Sequence, residues 1–533
     1  MAFNLADLVE HAVDAVPDRI ALICGDRQIT YEELEERSNR LAHHLSDLGI
    51  GERDHVAVYS YNSIEFVETM LACFKIRAVP VNVNYRYVED ELRYLFDNAD
   101  AVACVVQGQF APLVDAISDD LPLLRQIIVV DDGSGTPVPD GAVDYDAVLA
   151  PMSPERDFGP RSGEDVYILY TGGTTGLPKG VMWQHEDVFR TLGGGIDFAS
   201  GAVVTDEYAL SRNGAAAEPS RALVLAPLMH GAAQWGTLGN LFKGVSVVLL
   251  RHFDADDVWT AVQEHRIAGL AITGDAMAIP LIDAYEQGAY DASSLVIVSS
   301  TAAVFSPVVK DRLFGLLPDV LITEAVGSSE TGFSGGRLLA KDETRNDRGL
   351  INVNRGPDTI VIDEQNRPVE PGEVGRMARG GHVPLGYYKD PVKTAATFIE
   401  IDGERYSVPG DFARLELDGT MTLLGRGSQC INSGGEKIYP EEVESAVKAH
   451  PAVFDALVVG MPDERWGQKV VAVIQVRSGM DVPGVDEVAE HCRAHLAGYK
   501  VPRAVVAVDE VPRQPSAKPD YSRATKLAEQ AGV

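Results

Sequence analysis

Cysteine is scarce and shows no pairing pattern. The five in 533 residues, Cys24, Cys73, Cys104, Cys430 and Cys492, are scattered and odd in number, with no Cys-x-x-Cys spacing. That excludes a disulfide framework and a cysteine-based zinc site, and it fits a reducing cytoplasm, the expected location. Positive charge is also short: 46 Lys and Arg against 79 Asp and Glu leave a formal net charge of −33. So acidic a surface repels nucleic acid and anionic lipid, and neither is an expected partner. An anionic substrate would need cations gathered at its own site. No basic stretch followed by an apolar core opens the chain, so no secretory signal is expected. Internal repeats and low-complexity tracts are lacking too. At 45% hydrophobic and 23% charged residues the composition is that of an ordinary globular protein. It excludes collagen-like, mucin-like and wholly disordered chains. A prior of about 150 residues per domain suggests two to four units.

One run lacks charge altogether. Between Arg221 and Lys243 the sequence ALVLAPLMHGAAQWGTLGNLF is long enough to span a bilayer on length alone. Pro227, His230, Gln234, Asn240 and three glycines argue instead for a strand, a turn and a buried helix, so no membrane span is expected.

Residues 1–20 and 30–48 read as helical. In ITYEELEERSNRLAHHLSDLG, Thr30 and Glu33 have the spacing of a capping box, Leu34, Leu41 and Leu45 share a face, and Gly49 ends the helix. Apolar strand-like runs (DHVAVYS, AVPVNV, AVACVV, QIIVVD, then VYILY, RALVLAP, VSVVLL, AGLAIT, SLVIVSS, VLITEA) alternate with helical patterns such as DADDVWTAVQEHR and SPVVKDRLFGLL. This predicts an α/β fold of layered, largely parallel sheets. From about residue 355 to 427 the pattern becomes antiparallel and β-rich, with Asp418-Gly419 as a hairpin turn. Beyond a short link, a helix, two strands, a helix and a strand form a compact α+β unit. The expected domains are 1–427 and 428–533.

The most informative segment is Tyr170-Thr171-Gly172-Gly173-Thr174-Thr175-Gly176-Leu177-Pro178-Lys179-Gly180. Small residues let backbone approach phosphate oxygens, hydroxyls donate to them, and a lysine neutralises their charge. It is not the Walker P-loop, which needs Gly-Lys-Ser/Thr.

This loop resembles the signature of the adenylate-forming superfamily of acyl-CoA synthetases, luciferases and nonribosomal adenylation domains. Further matches follow in that family's order: Pro227-Leu228-Met229-His230-Gly231, Val326-Gly327-Ser328-Ser329-Glu330-Thr331, Pro409-Gly410-Asp411, Gly425-Arg426, Ser433-Gly434-Gly435-Glu436-Lys437, and Arg513-Gln514-Pro515-Ser516-Ala517-Lys518. The wording YTGGTTGLPKGVMW, INSGGEKIYPEEVE, AKPDY and NVNYRY most resembles bacterial fatty-acid and sterol side-chain CoA ligases.

The resemblance implies a carboxylate that attacks the α-phosphate of ATP, giving acyl-AMP and pyrophosphate, and then a coenzyme A thiol that takes the acyl group and releases AMP. A small-molecule carboxylic acid, ATP, Mg2+ and coenzyme A are thus the expected partners. Of the site residues it implies, Thr171, Gly172, Gly173, Thr174, Thr175, Gly176, Lys179 and Gly180 would cradle phosphates. Glu330 would hold magnesium, since a hard cation wants carboxylate and phosphate oxygens. Ser329 would hydrogen-bond the α-phosphate, Asp411 would accept both ribose hydroxyls, and Arg426 would add a cation at the domain junction. Ala302 would contact adenine and His230 would gate the acyl site or contact the nascent acyl phosphate. Lys518 would reach the α-phosphate and the attacking carboxylate. Gly435 and Lys437 would belong to the face that a mobile C-terminal domain presents for thioester formation.

As bare residue types each has a plainer reading. Glu330 can be a solvated acid, Asp411 a turn residue, Arg426 part of a structural ion pair, Lys518 and Lys437 exposed lysines, and His230 a satisfied core histidine. The chain also departs from the family pattern. Ser428 stands where a hinge Asp or Lys is usual. Val326 replaces an aromatic that would stack on adenine. Ala517 replaces glycine, which is tolerable only if its φ is negative. The rivals to a CoA ligase are a free-standing acyl-AMP ligase that loads a carrier protein, a luciferase-type oxygenase, and a non-catalytic acyl or nucleotide sensor. The identity of the acyl group and the oligomeric state, a dimer included, are not legible.

Overall fold

The computed structural model describes residues 3–171, 177–196, 202–301, 303–341, 350–433, 436–463, 466–514 and 517–533. For Arg426, Ser428, Asn432, Glu436 and Lys437 it describes the backbone alone. Helix Leu5–Ala15 is shorter than the 1–20 expected, because the chain turns into strand Ile20–Cys24. Helix Tyr31–Asp47 starts as predicted. Thr30 Oγ1 accepts the Glu33 N–H at 3.1 Å and the Glu33 carboxylate accepts the Thr30 N–H at 2.7 Å, so two otherwise orphaned donors are satisfied together.

The strand-like runs assemble into sheets. Ile20–Cys24, Ser246–Leu249, Arg221–Val224, Gly269–Ile272, Ile297–Thr301 and Leu321–Ser328 lie side by side and parallel. Val79–Asn82, His55–Tyr59, Ala101–Gln107, Gln126–Val130 and Val143–Asp144 form a second parallel sheet.

One expectation needs correction. The strand Val166–Thr171 is not parallel: it pairs antiparallel with Lys179–Gln184 in a small sheet of its own, completed by Gly386–Tyr387. The β-rich part is antiparallel as expected. It continues the large sheet through the antiparallel strands Gly332–Leu339, Asn352–Arg355, Met421–Arg426 and Asp411–Leu415. The large sheet's path reaches Arg426, whereas the strand Ile431–Ser433 belongs to a different sheet with Glu436–Ile438, Val453–Asp463, Gly467–Val476 and Ala504–Val508. The C-terminal tail is helical over Tyr521–Gln530, where the sequence reading saw only a tail.

The charge-free run resolves into strand Arg221–Val224 and helix Gly231–Leu241, packed in the core through Leu223, Leu228, Trp235, Leu238 and Leu241. Its polar groups find internal partners. The Tyr167 hydroxyl donates to Gln234 Oε1 at 2.6 Å, and Gln234 Nε2 donates to the Leu228 carbonyl at 2.8 Å. A buried amide is tolerated here because both of its ends are bonded. Among the described residues no helix is long and apolar enough to cross a membrane, and none of the five cysteines forms a disulfide.

Candidate active site

The parallel strands of the large sheet end around one cavity of about 280 Å³, the place where open α/β sheets bind ligands. Three of these strand ends, and the strand Val166–Thr171 of the small sheet, contribute pieces. Thr171 closes Val166–Thr171, Asp275 follows Gly269–Ile272, Ala303 and Val304 follow Ile297–Thr301, and Ser328, Ser329 and Glu330 follow Leu321–Ser328. Asp411, at the start of its strand, lines the same space. So do Lys448, Arg513 and Lys518 from the C-terminal unit. Thr171, Ser329, Glu330, Asp411 and Lys518, expected from four separate motifs, thus meet at one place.

Glu330 sits on a tight connection that the sheet itself shapes. The register between Leu321–Ser328 and Gly332–Leu339 slips between Val326 and Gly327, and such a bulge re-aims the residues beyond it. Gly332 has φ +62°, and a Cβ there would lie 2.7 Å from the Thr191 side chain, so only glycine fits. Three bonds then hold the turn. Trp183 Nε1 donates to the Ser329 carbonyl at 2.9 Å, the Ser407 hydroxyl to the Glu330 carbonyl at 2.6 Å, and the Tyr387 hydroxyl to Glu330 Oε1 at 3.1 Å. Trp183, Tyr387 and Ser407 were not singled out from the sequence. Trp183 ends the quoted YTGGTTGLPKGVMW but was given no role, and Tyr387 and Ser407 lie outside the quoted motifs.

The antiparallel register pairs Thr171 with Lys179, so the glycine- and hydroxyl-rich segment starts and ends on facing residues. Lys179 forms an ion pair with Asp390, and its Nζ lies 5.9 Å from the centre of the Tyr387 ring. That hydrogen bond from Lys179 holds the Asp390 carboxyl below the usual carboxylate range. Gly180 lies on the strand with no room for a side chain: a Cβ would meet Ile168 and Tyr170 at 2.8 Å.

Lys518 is carried by a loop that Arg513 ties down. The Arg513 guanidinium grips Asp455 with two bonds of 2.8 Å and donates to the Ala517 carbonyl at 3.0 Å. The Gln514 N–H reaches the Lys518 carbonyl at 2.8 Å, and the Ala517 N–H reaches the Gln514 carbonyl at 2.8 Å. Burial opposes ionisation of Asp455, yet Lys448 and Arg513 together keep its carboxyl below the usual range. Ala517 overturns an expectation: its φ is +61°, not negative. The left-handed conformation costs an alanine about 1–2 kcal/mol, and the loop's bonds to Arg513 and Gln514 over-determine it.

His230 precedes helix Gly231–Leu241. Its buried Nε2 has no hydrogen-bond partner, and burial, with Lys518 nearby, pushes the imidazole down to about 3. The ring is neutral near neutral pH, so it offers a polar surface rather than a charge. Asp275, unlike His230, lines the cavity, and it is buried. Its Oδ1 accepts the Ser306 N–H at 2.8 Å while Oδ2 has no partner, and burial raises its carboxyl above the usual range despite Lys448. Arg426 pairs in register with Asp411, which brings its backbone to the cavity edge. Gly172, Gly173, Thr174, Thr175, Gly176, Ala302 and Gly435 lie outside the described residues, as do the side chains of Arg426, Ser428 and Lys437.

Family models match two parts of this chain: an AMP-binding enzyme model over residues 9–388 and an AMP-binding enzyme C-terminal domain model over 442–518. The chain belongs to the AMP-binding enzyme family. It is 52% identical over 530 residues, covering 98% of this chain and 95% of the relative, to the 3-oxocholest-4-en-26-oate–CoA ligase of Rhodococcus rhodochrous. It is 51% identical to a medium/long-chain-fatty-acid–CoA/3-oxocholest-4-en-26-oate–CoA ligase of Mycobacterium tuberculosis (strain ATCC 25618 / H37Rv), covering 99% of this chain and 97% of that one. Among solved structures, the anthranilate CoA ligase AuaEII with anthranoyl-AMP superposes with a TM-score of 0.86 at 22% identity, covering 100% of this chain and 99% of that one. ATP-bound MatB from Rhodopseudomonas palustris gives 0.81 at 23% identity, with 99% of each chain covered. These two likenesses concern the fold.

The shift at His230 has a sign. A histidine held near 3 when folded but near 6.5 when unfolded binds its proton only in the unfolded chain. Its cost to stability is absent above about pH 6.5 and grows as pH falls toward 3. His230→Gln is therefore expected to lose thermal stability less steeply than the parent between pH 6.5 and 4. An unchanged slope of melting temperature against pH would contradict this.

Proposed function

We propose that this protein is an AMP-forming acyl-CoA ligase acting on a long-chain fatty acid or a steroid side-chain carboxylate. The observation that carries this reading is the single cavity lined by Thr171, Ser329, Glu330, Asp411 and Lys518. It supports a division of labour between a domain of residues 1–427 and one of 428–533, with Lys518 delivered by the second to a nucleotide held by the first. Asp411 accepts hydrogen bonds from the ribose hydroxyls, and Thr171 and Ser329 donate to the α-phosphate. Lys518 neutralises charge where the substrate carboxylate attacks. Such transfers depend chiefly on positioning and charge neutralisation.

Glu330 suits Mg2+. That ion is held by one or two carboxylates plus substrate phosphates, and Glu330 offers a carboxylate at the cavity. Among the described residues no set of three His, Cys, Asp or Glu side chains converges into an all-protein cage. Bound there, magnesium would supply charge neutralisation to the triphosphate. The second half-reaction needs Lys518 to leave and coenzyme A to enter, a movement for which the link after Arg426 supplies a hinge. The substrate class rests on the relatives at 51–52% identity, whose names pair CoA ligation with a steroid or fatty acid.

Pyrophosphate release across a panel of acids, with and without coenzyme A, tests the reading. The panel runs from acetate through long-chain fatty acids to aromatic acids and steroids with a side-chain carboxylate. Release with bulky apolar acids and a coenzyme A-dependent thioester is expected. Release without a thioester would indicate carrier loading, and no release with any acid would indicate a sensor. Glu330→Ala is expected to lower adenylation by about 100-fold, the scale of losing one preorganised electrostatic group, and to weaken its response to Mg2+. An unchanged magnesium titration would remove Glu330 from the metal site.

A further inference from the structure

The segment Gly386–Thr394 reaches two functional groups that come from distant parts of the chain. Its short strand lies on Lys179–Gln184, with Tyr387 in register with Val181. The segment is braced internally. The Tyr387 N–H donates to Thr394 Oγ1 at 2.9 Å, and that hydroxyl donates to the Asp390 carbonyl at 2.7 Å. Asp390 uses one oxygen to cap the Lys393 N–H at 2.8 Å and the other to hold Lys179. Gly386 has φ +145°, and a Cβ there would stand 2.5 Å from Thr394, so the turn closes only on glycine. The Tyr387 ring is 6% exposed and packs against Phe398 with ring centres 5.7 Å apart. The ring is thus fixed in place, with its hydroxyl on Glu330 and Lys179 over its face.

A carboxylate that must take up a divalent cation gains from being held in one orientation beforehand, and a hydroxyl bonded to one of its oxygens does this. The π face of a tyrosine attracts an ammonium without competing for the phosphate oxygens it is to meet. We propose that Tyr387 is a positioning residue for adenylation, which orients the Glu330 carboxylate for the divalent cation and holds Lys179 over its ring close to that carboxylate. This rests on the reading of Glu330 as the magnesium carboxylate.

Tyr387→Phe removes one oxygen and leaves the buried ring. The full-length variant is assayed for pyrophosphate release over a range of Mg2+ concentrations at saturating ATP, and for thioester formation from supplied acyl-AMP. The half-saturating Mg2+ concentration is expected to rise about tenfold, the usual loss on removing a group that orients a metal ligand. The rate at saturating Mg2+ recovers to within about twofold and thioester formation is unchanged. Glu330→Ala runs alongside. If Glu330→Ala alters the magnesium response and Tyr387→Phe does not, the role of Tyr387 is overturned while that of Glu330 stands. If neither variant alters it, the Glu330 reading falls and the proposal with it. A Tyr387→Phe protein that loses both half-reactions with an unchanged magnesium response would show a merely structural tyrosine and overturn the proposal.

Discussion

A nucleoside triphosphate is an anion, and here it must settle on a chain with a formal net charge of −33. The long-range field opposes it, so binding depends on a few cations held at short range where the dielectric is low. The site meets this constraint by giving its cations partners that hold them in place. Lys179 is kept by Asp390 and lies over the Tyr387 ring. Arg513 and Lys448 share Asp455, and Arg513 in turn fixes the loop that carries Lys518. The acids that outnumber the cations elsewhere act here as their supports.

The fold makes these placements reproducible. The parallel strands end on one side of the large sheet, so short connections bring Asp275, Val304 and Glu330 to a common space. The slip at Val326 and Gly327, and the side-chain-free approach at Gly332, set the direction in which Glu330 leaves its strand. Strain is accepted beside a candidate catalytic group: Ala517 sits in a left-handed conformation one residue before Lys518. A buried Asp275 oxygen without a partner adds a second unrelieved cost at the junction of the two units.

Much of this was legible in the residues. Alternating apolar runs marked the parallel strands, because strands covered on both faces need near-continuous hydrophobic sequence. The Thr30–Glu33 pair marked a helix start by its spacing. The ordered motifs pointed to Thr171, Ser329, Glu330, Asp411 and Lys518, which line one cavity. What escaped depends on register and long-range packing. A hydrophobic run such as VYILY does not say whether its neighbour is parallel, so the hairpin over Val166–Thr171 and Lys179–Gln184 was read as part of a parallel layer. The continuity of the β-rich part with the large sheet is a matter of which edges meet. Tyr387 and Ser407 reach Glu330 from 57 and 77 residues along the chain, and Trp183 reaches Ser329 from 146; local pattern holds no trace of such contacts. The sign of φ at Ala517 is set by the loop's own hydrogen bonds, which composition does not report.

In the proposed mechanism the C-terminal unit delivers Lys518 to the cavity for adenylation alone. Comparing Lys518→Ala with the parent in the two half-reactions tests it most directly: pyrophosphate release from acid and ATP, and thioester formation from supplied acyl-AMP and coenzyme A. The first is expected to be crippled and the second spared. Equal loss of both half-reactions, or full retention of adenylation, would contradict it.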